Sequence, residues 1–272
     1  MEDIIINWIQ EIMDSVNSVG QSGMLSQSLS QFNPVIYGGV SSIAKNISTP
    51  IAFSILSLFI MMELFQLTQR NEMNSLMGIE LPLKFAVKLA ICYTFVNVSF
   101  DLLVSIFDIA LSMIHQMSSF GNGSLEQIDL NAFRNELKTV GIFGQLGVMI
   151  QVFLIWFVTK ISILFATLLI IIRMLELYIY LAIAPIPLAT LPHNEMSGIA
   201  KGFLKSFTAV CIQGIVMYLM LMMFNMLLGS IDGLGQGSGV YYRLWSYLGY
   251  SILLGFSLSG ASRIAKSICN AM

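Results

Sequence analysis

The chain has 272 residues, of which 56% are hydrophobic and only 10% charged, with a net charge of −2 and a mean hydropathy of +0.80. A soluble domain carries about 25% charged residues, so this chain cannot coat its own surface with polar groups, and its 13 basic against 15 acidic residues exclude a broadly basic nucleic-acid surface. Several apolar runs reach roughly the 20 residues needed to cross ~30 Å of hydrocarbon, which predicts an all-α, polytopic integral membrane protein.

The N-terminal MEDIIINWIQEIMDSV is acidic where a cleavable signal peptide would be basic, and none is expected. Ile5, Trp8, Ile9, Ile12, Met13 and Val16 share one helical face, with Glu2, Asp3, Glu11 and Asp14 elsewhere. This is the pattern of an amphipathic helix lying on a membrane or a partner. Its acidity suits a partner or the outer leaflet better than an anionic cytoplasmic surface. Residues 17–34, rich in Ser, Gln, Asn and Gly, read as a flexible connector, and 35–47 as a short amphipathic segment. Residues 1–49 thus form an extracytoplasmic N-terminal region ahead of a transmembrane domain over 50–272.

The first span is expected at 50–68, opened by Pro50, where a missing N–H costs nothing. The apolar region 83–117 carries Lys88, Asp101 and Asp108 and predicts a span at 85–107 with a helical extension. Residues 118–142 form a polar outside loop, in which Ser124 and Gln127 can cap a short helix with Leu125, Ile128, Leu130, Phe133 and Leu137 on its apolar face. Region 141–191 is almost unbroken apolar sequence, too long for one perpendicular crossing. It crosses once or twice. Later spans fall at 206–228 and 243–262, separated by a Gly-rich loop and preceded by a basic loop over 192–205.

Charge asymmetry chooses between the topologies. A single crossing within 141–191 puts Arg70, Lys84, Lys88, Lys201, Lys205, Arg263 and Lys266 on the cytoplasmic side and Lys45, Arg134, Lys138 and Arg243 outside, seven against four. Two crossings split the cytoplasmic set. Five crossings are therefore expected, N-terminus outside and C-terminus cytoplasmic, with the third at 143–170. Residues 174–191 become an interfacial or re-entrant element broken at Pro185 and Pro187.

Intramembrane charges are costly unless paired or wet. Lys160 interrupts an apolar run, Asp101 and Asp108 share a helix face, and Arg173 and Glu176 stand at i,i+3. They line a hydrated path, or else Lys160 snorkels and the Arg173–Glu176 pair merely marks the cytoplasmic interface. Ser251, Gly255 and Ser259 repeat at four-residue spacing and predict a helix-packing face. Cys92, Cys211 and Cys269 are too scattered for a disulfide framework or zinc site, and read as buried thiols. His115 and His193 stand alone, without a second ligand at metal spacing, and the usual hydrolase, metalloprotease and nucleotide-binding motifs are missing. No enzyme activity and no cofactor are expected.

The run Arg173-Met-Leu-Glu176-Leu-Tyr178-Ile-Tyr180-Leu-Ala182-Ile-Ala184-Pro185-Ile-Pro187-Leu-Ala189, followed by Glu195, Gly198, Lys201-Gly202-Phe203-Leu204-Lys205 and Gln213-Gly214, resembles the TrbL family. This is the polytopic inner-membrane subunit of type IV secretion systems, the counterpart of the sixth VirB subunit, in the version found in conjugative elements of Firmicutes. The resemblance implies a homo-oligomeric channel or scaffold subunit in the cytoplasmic membrane, surrounded by lipid and working beside other secretion subunits, including cytoplasmic ATPases. It implies help in moving relaxase-bound single-stranded DNA, or protein, across the membrane. On that reading Lys160, Arg134, Lys138, Asp101 and Asp108 are candidates for the translocation path, and Lys201 and Lys205 for docking an ATPase. The alternative is a small-solute transporter or permease.

Overall fold

The computed structural model describes residues 6–11, 24–71, 80–120, 142–193, 196–234 and 240–271. Among these residues all regular structure is helical. Residues 6–11 are helical, and α1 (Leu29–Phe32) and α2 (Pro34–Ile43) follow. A π-helical turn, Ala44–Ser48, leads into α3 (Thr49–Asn71). Then come α4 (Glu80–Asn97), α5 (Ser99–Phe120), α6 (Ile142–Ile183), α7 (Pro185–Leu188), α8 (Ser197–Leu234) and α9 (Val240–Ile268).

Among the described residues, four stretches are long and apolar enough to cross a membrane: Pro34–Gln66, Ser99–Ser119, Leu146–Ile183 and Ser197–Met223. The protein is an all-α, multi-pass membrane protein. Large apolar side chains stand outward, Phe256 and Met61 each at 75% exposure, which lipid, unlike water, tolerates.

The ends of these helices follow from local chemistry. In α1, Ser28 and Gln31 form a reciprocal capping box. The Asn33 side chain accepts from the Ile36 N–H at 3.0 Å, with Pro34 in the first turn of α2. Residues 24–33 are therefore more than a connector: Leu25 and Leu29 are buried, and Tyr178 donates to the Leu29 carbonyl at 2.6 Å. The segment at 35–47 runs on into the first span, because the π-helical turn keeps the chain helical and Thr49 Oγ1 donates to the Ala44 carbonyl at 2.8 Å.

Other boundaries differ from expectation. The stretch 85–107 is divided at Val98, where the Ser99 hydroxyl takes the Val96 carbonyl at 2.8 Å; the crossing-length helix is Ser99–Ser119, and Phe85–Asn97 is short. Residues 143–170 and 174–183 belong to one 42-residue helix, so 174–191 is not a separate interfacial element from its start. The break comes at Ala184, as the two prolines require. Lys201 and Lys205 sit on the opening turns of α8 and not in a loop, and α8 continues to Leu234, through part of the Gly-rich segment. At 243–262 a helix does form, but Ser and Gly dilute it and it is not among the four apolar candidates. Residues 118–120 close α5, while the polar segment 121–141, with its expected short helix, lies outside the described residues.

The chain divides into two compact units. The first contains Met1–Ser26, Ser112–Ile172 and Gln213–Ile264, with Leu25, Ala166, Ile170, Met217, Leu254 and Leu258 in its core. The second contains Gln27–Leu111, Arg173–Ile212 and Ala265–Met272, with Ala52, Leu56, Cys92, Val96 and Ala189 packed together.

Candidate functional site

In the first unit, residues 6–11 pack along α6. Ile9 is buried, as the amphipathic pattern requires, and so is Ile6, which that pattern did not place on the apolar face. Trp8 meets Phe153 with ring centroids 5.7 Å apart, and Phe153 stacks on Trp156 at 6.1 Å. One turn further, Lys160 Nζ lies 2.7 Å from Glu11 Oε1 and 5.8 Å from the Trp156 ring centroid. Phe153, Trp156 and Lys160 share a helix face by their three- and four-residue spacing. The mid-helix lysine is therefore partnered by a carboxylate from the N-terminal helix. Lys160 holds the Glu11 carboxyl below the usual carboxylate range by hydrogen bonding. The Trp156 N–H favours the same ionised form, yet stops short of hydrogen-bond geometry and is buried without a partner.

The other expected path residues are spread. Asp101 and Asp108 are both exposed on α5, seven residues apart. Arg134 and Lys138 lie outside the described residues. Lys201 and Lys205 are exposed one turn apart near the start of α8, where cations gain nothing from the helix dipole; packing does not account for them.

Arg173 does not pair with Glu176 among the described residues. It is 1% exposed, its Nε–H donates to the Val210 carbonyl at 3.1 Å, and its guanidinium lies 5.8 Å from the Phe107 ring centroid. Nη1 and Nη2 are buried without hydrogen-bond partners. Periodicity marked Arg173 as an intramembrane charge, but only the fold shows its isolation.

A second polar group escaped the sequence reading. Glu63, buried on α3, pairs with Lys88 of α4 at 2.7 Å, and three residues on Gln66 meets the buried His193 ring at 3.3 Å. Glu63 was the available signal, a carboxylate inside an apolar span. Among the described residues no group of three or more His, Cys, Asp or Glu could hold a metal ion.

At the helix break, Pro185 and Pro187 lie inside α7. The prolines' own carbonyls find donors just beyond: the Ala189 N–H donates to Pro185, and the Thr190 N–H and hydroxyl both donate to Pro187. Ahead of the break, the Ser48 hydroxyl donates to the Ala182 carbonyl at 2.7 Å. The stripe on α9 is used in part. Ser251 is buried and 2.8 Å from the Thr159 hydroxyl, and a Cβ on Gly255 would meet Ser162 at 3.7 Å. Ser259 is exposed and borders an apolar groove of about 360 Å³ with Gly255, Phe256 and Phe165. Gly198 and Gly202 face open space.

Neither a curated protein nor a solved structure matches the chain. Residues 12–185, running from the N-terminal region through α6 to the start of α7, match the family described as TrbL/VirB6 plasmid conjugal transfer like protein. The match ends before Glu195, Lys201 and Gln213, so the likeness read on those residues lies beyond it. With well over half of its length matched, and with the multi-pass helical architecture already established, the chain belongs to the TrbL/VirB6-like family of plasmid conjugal transfer proteins.

Proposed function

We propose that this protein is a non-enzymatic channel or scaffold subunit of a conjugative type IV secretion system, which helps relaxase-bound single-stranded DNA, or protein, cross the cytoplasmic membrane. The family match over residues 12–185, joined to four membrane-length helices, carries the reading. A subunit of this kind works as a homo-oligomer among other secretion subunits, and the exposed Lys201 and Lys205 are suited to contact an acidic patch on an energising ATPase.

The expected topology has the N-terminus outside and the C-terminus cytoplasmic. The four apolar helices and α9 supply five passes, with α4 lying at the cytoplasmic interface. Exposed Arg263 and Lys266 at the end of α9 support this orientation.

The test is genetic and quantitative. Deletion of the gene from its conjugative element removes DNA transfer, and the intact gene restores it. Charge reversal at Lys138 lowers transfer at unchanged protein level if the 118–142 loop meets the polyanionic substrate. Undiminished transfer in the deletion strain, with solute uptake by the purified protein in liposomes, replaces this reading with that of a permease.

A further inference from the structure

We propose that the α6 face formed by Phe153, Trp156 and Lys160 is a binding platform for single-stranded nucleic acid, closed in this conformation by residues 6–11. The proposal rests on the secretion reading above and names the substrate contact and its gate.

Single strands are held by aromatic rings on which bases stack and by cations that meet the backbone phosphates. The face has both. Phe153 and Trp156 are stacked, their planes 21° apart, and Lys160 follows within one turn. The N-terminal helix covers these groups with the equivalent of each nucleotide part. Glu11 places an anionic oxygen 2.7 Å from Lys160 Nζ, where a phosphate oxygen would sit, and Trp8 lays a flat aromatic ring against Phe153, where a base would sit. The buried Trp156 N–H is a donor at that anion position: it already favours the Glu11 carboxylate, though without full hydrogen-bond geometry. A phosphate, with more acceptor oxygens than a carboxylate, can take Lys160 and this N–H together.

The closing contact is of a strength that a strand can displace. The Lys160 and Glu11 side chains are 38% and 49% exposed, and ion pairs this open contribute little and weaken with salt. A strand engaging several such faces in a homo-oligomer would exchange one weak contact per subunit for a phosphate contact and a stacking contact.

The test uses the full chain in phosphatidylcholine nanodiscs with a fluorescent oligothymidylate. Glu11→Gln and Trp8→Ala each tighten binding about fivefold, as expected for removing a weak competitor. Lys160→Gln abolishes the gain when combined with Glu11→Gln, and Lys160→Arg keeps it. Equal binding by the wild type, Glu11→Gln and Trp8→Ala overturns the gate, and binding indifferent to Lys160→Gln overturns the platform. Nanodiscs containing phosphatidylglycerol are the competing arm: if anionic lipid removes the effect of Glu11→Gln, the site takes lipid phosphate and the nucleic-acid assignment falls. Failure here with transfer still lost in the deletion strain rejects this site alone; transfer surviving deletion rejects the secretion reading itself.

Discussion

Among the described residues, Arg173 is a buried cation with almost no compensation. A guanidinium at 1% exposure, with one hydrogen bond to Val210 and two nitrogens unpartnered, forgoes several kcal/mol of solvation that a single carbonyl and the Phe107 ring do not return. Buried charges of this kind persist in membrane helices where they serve function. Two substitutions separate function from support. Arg173→Met fills much the same volume without charge, and should leave thermal stability in detergent unchanged or raise it by ~1–4 kcal/mol, while lowering DNA transfer. Arg173→Ala loses packing against Phe107 and should destabilise by ~2–5 kcal/mol. Unfolding of Arg173→Met would instead show that the charge has a structural partner.

At the scale of elements, the N-terminal helix shows what a sequence does and does not disclose. That Trp8 and Ile9 pack inward was readable because helical periodicity is local, whereas the buried Ile6 was not on the face that periodicity picked out. The surface the helix covers was not readable, because Glu11 and Lys160 are 149 positions apart and nothing local links them. Lys160 was likewise legible as a charge in an apolar run, and its pairing was not. The same limit explains the divided second span, since the Ser99 hydroxyl that takes the Val96 carbonyl looks ordinary in sequence. It also explains Glu63, whose partner Lys88 lies on another helix.

Charge linkage makes the docked N-terminal helix testable by pH. Pairing with Lys160 lowers the Glu11 pKa in the folded state, so its stabilising contribution is full above the ordinary carboxylate value of ~4.3 and is lost as pH falls through the lowered value. Hydrogen exchange at residues 6–11 should therefore be equally protected at pH 7 and about pH 5, after correction for intrinsic rates, and lose protection only below about pH 4. In Glu11→Gln that acid step disappears. A loss of protection centred near neutrality would assign the contact to a different titrating group.

For the whole molecule, α6 decides how the chain meets the bilayer. Its 42 residues extend about 63 Å at 1.5 Å each. Fitting that length inside ~30 Å of hydrocarbon needs a tilt of roughly 60°, beyond the 0–40° that membrane helices adopt. Part of α6 must therefore project from the membrane. One end of this helix is set by the break at Ala184–Pro185, where its hydrogen-bond ladder stops. A boundary toward the other end is suited to Trp8, Trp156, Lys160 and Glu11, amphipathic and charged residues of the kind that settle at a membrane–water interface. Between them, residues 161–183 run about 34 Å, one full crossing. The earlier expectation of a crossing at 143–170 would put Lys160 deep in hydrocarbon and draw the acidic N-terminal helix in with it. Single cysteines distinguish the two. Ile150 and Ile172 are both outward-facing, at 70% and 57% exposure. On the proposed topology, Ile150→Cys should react with a membrane-impermeant maleimide added outside intact cells, and Ile172→Cys should react only after detergent solubilisation. The reverse pattern, with Ile150→Cys shielded and Ile172→Cys reached from the cytoplasm, would return the crossing to the first half of α6 and leave the Lys160–Glu11 pair inside the membrane.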